Sequence, residues 1–162
     1  LVDIDILKGE SRSEDFLRRN PNGRVPTVEF EDGRILAESN AIMFYLAEGT
    51  PLLPADRFAR AQALQWMFFE QYSHEPYIAV ARFWHSIKPG GREEKKASFP
   101  EWHERGYQAL SVMERHLSAR EWFAGDDCSI ADIALYAYTH VAHEGGFDLS
   151  PYGAIKGWMT RP

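Results

Sequence analysis

Two adjacent residues, Glu38 and Ser39, carry the clearest chemistry in the sequence. They stand just ahead of Ala41, Ile42, Tyr45 and Leu46, an apolar stripe at helical spacing, so Ser39 reads as a helix N-cap with free backbone amides beyond it. Amides at a helix start attract anions, and Glu38 one residue earlier sets a carboxylate beside them. Together the pair fits a zwitterion, ammonium to Glu38 and carboxylate to Ser39 and the amides, which is the amino-acid end of a ligand. Upstream, Val25-Pro26 is the second candidate. It follows Asn20-Pro21-Asn22-Gly23, a run dense in turn formers, and opens the extended run Thr27-Val28-Glu29-Phe30. Only X-Pro bonds have a small cis penalty, so a cis Val25-Pro26 bond is predicted, with the Val25 backbone N–H and C=O turned outward for pairing.

The elements that must hold these groups are short. Asp32-Gly33 suits a two-residue hairpin turn, with Ile35 and Leu36 answering Val28 and Phe30 on the returning strand. Leu1 to Ile6 alternates apolar and acidic residues and predicts a half-buried strand, and Ser13 followed by Glu14 and Asp15 predicts a short helix with an acidic first turn. Glu48-Gly49-Thr50-Pro51-Leu52-Leu53-Pro54 stops the helix after Ser39. We therefore expect a first domain over 1–48, a linker over 49–55 and a helical domain over 56–162.

The order N-P-N-G-R-V-P, hairpin, E-S resembles the glutathione site of the cytosolic glutathione S-transferases of bacterial type. That resemblance implies a thioredoxin-like βαββα domain followed by an all-α domain, an α/β plus all-α fold class. It implies that Val25, before the cis-proline Pro26, pairs its backbone with the cysteinyl part of glutathione, and that Glu38 and Ser39 hold the γ-glutamyl end. Lys8 and Arg24 stand where the glycine carboxylate of glutathione would be met, with a solvated side chain as the plainer alternative for each. Glutathione is thus the implied co-substrate, and no metal is implied.

Beyond the linker the chain is aromatic and helical. Ala61, Leu64, Met67 and Phe68 recur at three- and four-residue steps, Pro76 bends or breaks the run, and Tyr77, Val80, Phe83 and Trp84 continue it. Most of these aromatics read as core. By the resemblance, this helix faces the glutathione domain, supplies an apolar second-substrate site and forms a dimer contact, with Tyr72, His74 and Tyr77 as pocket candidates. Tyr72-Ser73-His74-Glu75 is no hydrolase triad, because neighbours on one helix point in different directions. Trp102, Tyr107, Leu110, Met113 and Leu117 mark a further amphipathic helix.

Ser129 and Asp132 form a capping-box pattern, S-x-x-D, ahead of an apolar segment that should be buried on all sides. The surrounding G-x-x-x-S-x-A-D, Gly125 to Asp132, is a second hallmark of the same family. Cys128 precedes this helix, where a helix N-terminus would lower its pKa, although a small residue at a capped turn is the plainer reading. His140, His143 and Glu144 do not match the H-E-x-x-H spacing of a zinc site.

Composition excludes other classes. The 162 residues are 44% hydrophobic and 26% charged, with a net charge of -6 and no Lys/Arg cluster, so nucleic acid is not an expected partner. One cysteine admits no internal disulfide, which fits the cytoplasm. No apolar run reaches membrane-spanning length. The first residue is Leu1 and not Met. The strand expected at Leu1–Ile6 lacks a parallel neighbour, so one further strand-helix unit is expected before it, and the resemblance implies that this unit bears the hydroxyl or thiol that stabilises the glutathione thiolate. No residue from 1 to 162 is assigned as catalytic.

The expected activity is transfer of glutathione to an apolar electrophile by a detoxifying homodimer. The alternatives are a non-catalytic binding or assembly module and a glutathione-dependent disulfide reductase.

Overall fold

The structure, a computed structural model, describes residues 1–161. The chain divides into two compact units, 1–48 and 49 onward.

The first unit is mixed. A 3-10 turn, Glu10–Arg12, leads into helix α1, Glu14–Arg19, whose N-cap Ser13 accepts the Phe16 amide at 3.3 Å. Strands β1, Thr27–Glu29, and β2, Ile35–Ala37, pair antiparallel with Thr27 opposite Ala37, Val28 opposite Leu36 and Glu29 opposite Ile35. Helix α2, Ser39–Ala47, follows directly. The hairpin loop differs from the expected two-residue turn. The Gly33 amide bonds to Phe30 O and the Phe30 amide to Arg34 O, both at 2.9 Å, so Glu31, Asp32 and Gly33 form a three-residue loop. Gly33 at φ 81 supplies the left-handed position that such a loop requires.

Leu1–Ile6 is not a strand. Extended backbone becomes a strand only through a hydrogen-bonded ladder, and the sheet has two strands, neither paired with this segment. Its first residues share a groove with Phe16 and β1. At Asp5 the chain turns, because the carboxylate accepts the Leu7 and Lys8 amides at 3.0 and 3.1 Å.

The second unit is helical, as expected. Helix α3, Arg57–Phe69, passes through a π-turn, Glu70–His74, into α4, Glu75–Arg82, and a second π-turn, Phe83–Ile87. Pro76 thus bends the run without ending it: with no N–H of its own it cannot close a regular α-turn, and the preceding turn widens. After α5, Gly91–Glu94, and a 3-10 turn, Lys96–Ser98, the long helix α6 spans Phe99–Leu117. Helix α7, Ile130–Thr139, a 3-10 turn, Ala142–Gly145, and α8, Gly153–Met159, complete the unit.

Its core gathers Met67, Ile78, Leu110, Met113, Leu135 and Ile155. Phe123 stacks against His116 at 5.4 Å between ring centroids and meets Trp66 and Trp158 at 4.7 and 5.1 Å. The expected linker over 49–55 is built into this unit: Leu53 is buried, and Leu52 O accepts the Ile130 amide at 2.9 Å. Helix α7 is not buried all round, since Ile133 and Tyr136 remain 40% and 41% exposed on one face. Among the described residues no helix is long and apolar enough to cross a membrane.

Candidate functional site

In the first unit the site is assembled by the hairpin register. Because Thr27 pairs with Ala37, the chain leaving one end of the ladder carries Val25 and Pro26 while the chain leaving beside it carries Glu38 and Ser39. The Val25–Pro26 bond is cis. Val25 is 44% exposed, and its backbone makes no hydrogen bond among the described residues.

The turn before Val25 is held by Asn20, which is buried. Its Nδ2 donates to Arg24 O at 2.9 Å and to Thr27 Oγ1 at 3.0 Å, and its Oδ1 accepts the Asn22 amide at 3.1 Å. Gly23 closes the turn at φ 62 and lies so near the 3-10 turn that a Cβ there would meet Ser11 O at 2.9 Å and Arg12 Nη1 at 2.6 Å. Neither a left-handed nor a crowded position suits a side chain.

The helix start differs by one residue from the sequence expectation. Glu38, not Ser39, is the N-cap, and it caps with backbone alone: its carbonyl accepts the Ile42 amide at 2.9 Å, and its side chain makes no cap bond. Ser39 is therefore the first helical residue, half-buried at the start of α2. Glu38 is the one non-glycine residue at positive φ among those described, at φ 70 and ψ 114. Its exposed carboxylate meets Asn22 Nδ2 at 3.3 Å, which ties the turn to the helix start. Backbone strain of this kind is kept where surroundings enforce it, commonly at ligand sites. The Asn22 contact to Glu38 was not foreseen, because the sequence marks Asn22 only as a turn former.

Lys8 and Arg24 are differently placed. Lys8 lies in the turn after Asp5 and pairs with its carboxylate at 3.1 Å. That contact, with the Lys8 and Leu7 amides, holds the Asp5 carboxyl below the usual carboxylate range. Arg24 is exposed at the end of the Asn20 turn, its carbonyl accepting from Asn20 and Thr27.

In the second unit Tyr72 and Tyr77 share a groove of about 370 Å³ with Phe69, Ser73, Arg105 and Gln108, between the α3–α4 run and α6. Tyr72 is 84% exposed at its rim. His74 does not belong there. It is fully buried, its Nε2 lies 2.9 Å from Thr139 Oγ1, and its Nδ1 has no partner. Since the Thr139 hydroxyl donates to Leu135 O at 2.6 Å, it accepts from His74, which fixes the Nε2–H tautomer. Burial lowers the His74 pKa to about 3. Arg105 was not singled out in the sequence, because nothing local distinguishes it from other surface arginines of α6.

Ser129 and Asp132 form a reciprocal cap. Asp132 Oδ2 accepts the Ser129 amide and hydroxyl, each at 2.9 Å, and Ser129 Oγ accepts the Ala131 amide at 3.3 Å. Asp132 Oδ1 also accepts the Phe123 amide at 3.1 Å and Trp158 Nε1 at 3.0 Å. Cys128 is half-buried, and burial together with the Asp132 carboxylate pushes its thiol pKa up, the reverse of activation by a helix start. Glu144 pairs with Arg82 at 2.7 Å, and His140 Nδ1 lies 2.8 Å from Tyr136 O.

The chain matches the model of the glutathione S-transferase N-terminal domain over 1–48 and that of the C-terminal domain over 62–161. It is 55% identical to a glutathione S-transferase of Pseudomonas fluorescens of known structure, with a TM-score of 0.93 over 98% of this chain and 81% of that one. A glutathione transferase of Burkholderia graminis, solved with two glutathione molecules per subunit, superposes with a TM-score of 0.81 at 26% identity over 98% of this chain and 72% of that one. The disulfide-bond oxidoreductase YfcG of Escherichia coli K12 is 29% identical over 99% of this chain and 77% of its own length. With both family models matched in order over nearly all its residues, the chain belongs to the glutathione S-transferase family.

Proposed function

We propose that this protein is a glutathione transferase that binds glutathione on its first unit and passes the thiolate to an electrophilic small molecule. The observation that carries the site is the hairpin register, which brings the outward Val25 backbone beside Glu38 and Ser39 at the start of α2. An extended peptide ligand pairs with the Val25 backbone, its α-ammonium meets the Glu38 carboxylate, and its α-carboxylate meets the Ser39 hydroxyl and the α2 amides. Pro26 holds Val25 in place. Lys8 and Arg24 are the cations available for the glycine end, Lys8 only by leaving Asp5.

Tyr72 and Tyr77 are assigned to a second ligand, and His74 is removed from that set by its burial. A homodimer is supported by the exposed apolar residues Tyr45 and Leu46 on α2. The single free cysteine, half-buried and unactivated, fits a reducing compartment such as the cytoplasm.

Titration calorimetry of glutathione with Glu38→Ala and Ser39→Ala tests the site. Each change removes a charge-assisted hydrogen bond and should weaken binding by roughly 1.5 to 3 kcal/mol. Unchanged affinity in both variants would remove the assignment. The match to YfcG favours a second reading, disulfide reduction with glutathione. Assaying an aryl halide and a mixed disulfide side by side separates them: turnover of the disulfide alone selects the second.

A further inference from the structure

We infer that the groove between the α3–α4 run and α6 binds an aromatic carboxylate, the ring lying against Phe69 and Tyr72 and the carboxylate meeting the Arg105 guanidinium and the Tyr77 or Ser73 hydroxyl. This deepens, and rests on, the assignment of Tyr72 and Tyr77 to a second ligand. In a regular helix Tyr72 and Tyr77, five residues apart, face different ways, because residues three and four apart share a face. The π-turn over Glu70–His74 widens the helix so that Tyr72, Ser73 and Tyr77 all line one groove. Such turns inside helices are frequent at functional sites.

The charge on the groove has one sign. Arg105 is its only ionisable side chain besides the two tyrosines; no carboxylate lines it, and Arg105 has no ion-pair partner among the described residues. Glu104 lines, with Arg115, an adjoining groove that shares Gln108 and Val112 with this one. The Arg105 guanidinium presents a fork of donors that matches a carboxylate. Gln108 adds an amide beside it, while Phe69, Ala109 and Val112 give an apolar wall. A neutral ligand would leave Arg105 unused, and a small inorganic anion would leave the aromatic wall uncovered. A flat ring bearing a carboxylate uses both.

The test is titration of the whole protein, without glutathione, with 1-naphthoate and with the neutral 1-naphthalenemethanol. The wild type should bind the carboxylate at least tenfold more tightly. Arg105→Gln should weaken naphthoate about tenfold and leave the alcohol unchanged, Arg105→Lys should keep part of the preference, and Tyr77→Phe should weaken naphthoate several-fold. Arg115→Gln, in the adjoining groove, should change neither. Equal binding of acid and alcohol by the wild type overturns the assignment, as does unaltered naphthoate binding in Arg105→Gln or an equal loss in Arg115→Gln. Glutathione titrated into the same samples keeps the two readings apart. Arg105→Gln should bind glutathione normally, and Glu38→Ala should lose glutathione while keeping naphthoate. Naphthoate binding that persists when no form binds glutathione would sink the glutathione site and leave this groove standing.

Discussion

The chain starts two helices with nearly the same pair of side chains and treats them in opposite ways. At α7 the acid and the serine satisfy each other: Asp132 is 3% exposed and accepts from Ser129, Phe123 and Trp158. At α2 the acid stands outside, on a backbone at φ 70, with one long contact to Asn22 and no cap bond. A cap that folding completes holds the fold together, whereas a cap left incomplete, on strained backbone, is open to a ligand. The same residue types therefore carry stability in one unit and, in the proposed function, binding in the other.

The largest effect that this contrast predicts is at Asp132. Asp132→Ala would leave the Ser129 and Phe123 amides and the Trp158 indole N–H, all on buried residues, without their acceptor. A loss of about 3 to 5 kcal/mol is expected, more than the 0.5–2 kcal/mol of an ordinary cap. Glutathione affinity of the folded fraction should hold. Denaturant unfolding followed by tryptophan fluorescence reads the first quantity and calorimetry the second. A loss below about 1 kcal/mol would make Asp132 an ordinary cap and blunt the contrast.

A second prediction uses the buried polar atom that the second unit leaves unmatched, His74 Nδ1. Burial lowers the folded pKa to about 3, against an unfolded value of 6.5. The sign follows: the unfolded chain takes up the proton first, so the contribution is fully present above the unfolded pKa and declines as pH falls below it towards the folded one. Near pH 5 the loss should be about 2 kcal/mol. Unfolding free energies measured from pH 8 to 5, beside a His74→Gln chain that does not titrate there, isolate this slope. Parallel curves for the two chains would mean that His74 meets water in the folded state, and the interior would then be less complete than the contrast requires.

How far the sequence carried these features depends on the reach of each interaction. The Asn20–Gly23 turn, the hairpin strands, the short helix after Ser13 and the Ser129–Asp132 box were legible because every partner lies within a few positions. Asn22 reaching Glu38 over 16 residues was not, nor was His74 meeting Thr139 over 65. His74 was misplaced because the resemblance points to a stretch of helix and fixes no side chain within it, and the π-turn that decides which residues face the groove follows from Pro76 only once the helix is seen to continue past it. Leu1–Ile6 was misread because alternation reports which side of the backbone is apolar and cannot report whether a ladder forms. Ser39 was set one position off because the cap is defined by the carbonyl that accepts the Ile42 amide, which belongs to Glu38.

The smallest predicted effect isolates the strained backbone from the side chain it carries. Glu38 at φ 70 and ψ 114 occupies a region that only glycine enters without a steric cost. Glu38→Ala removes the carboxylate and keeps that cost, so its stability should stay within about 0.5 kcal/mol of the wild type, as for other surface substitutions. Glu38→Gly removes the carboxylate and the strain together. Relief of roughly 1 to 3 kcal/mol is partly offset by the greater freedom of glycine in the unfolded chain, about 0.5 to 1 kcal/mol. The glycine variant should therefore melt above the alanine variant, by about 1 kcal/mol in unfolding free energy. Both should bind glutathione equally poorly, since both lack the group that meets the ammonium. A glycine variant that is more stable and binds less would mean that the first unit gives up stability to hold a carboxylate where a ligand can reach it. If the two variants unfold together, the φ of Glu38 costs nothing, and the helix start at α2 differs from that at α7 only in being exposed.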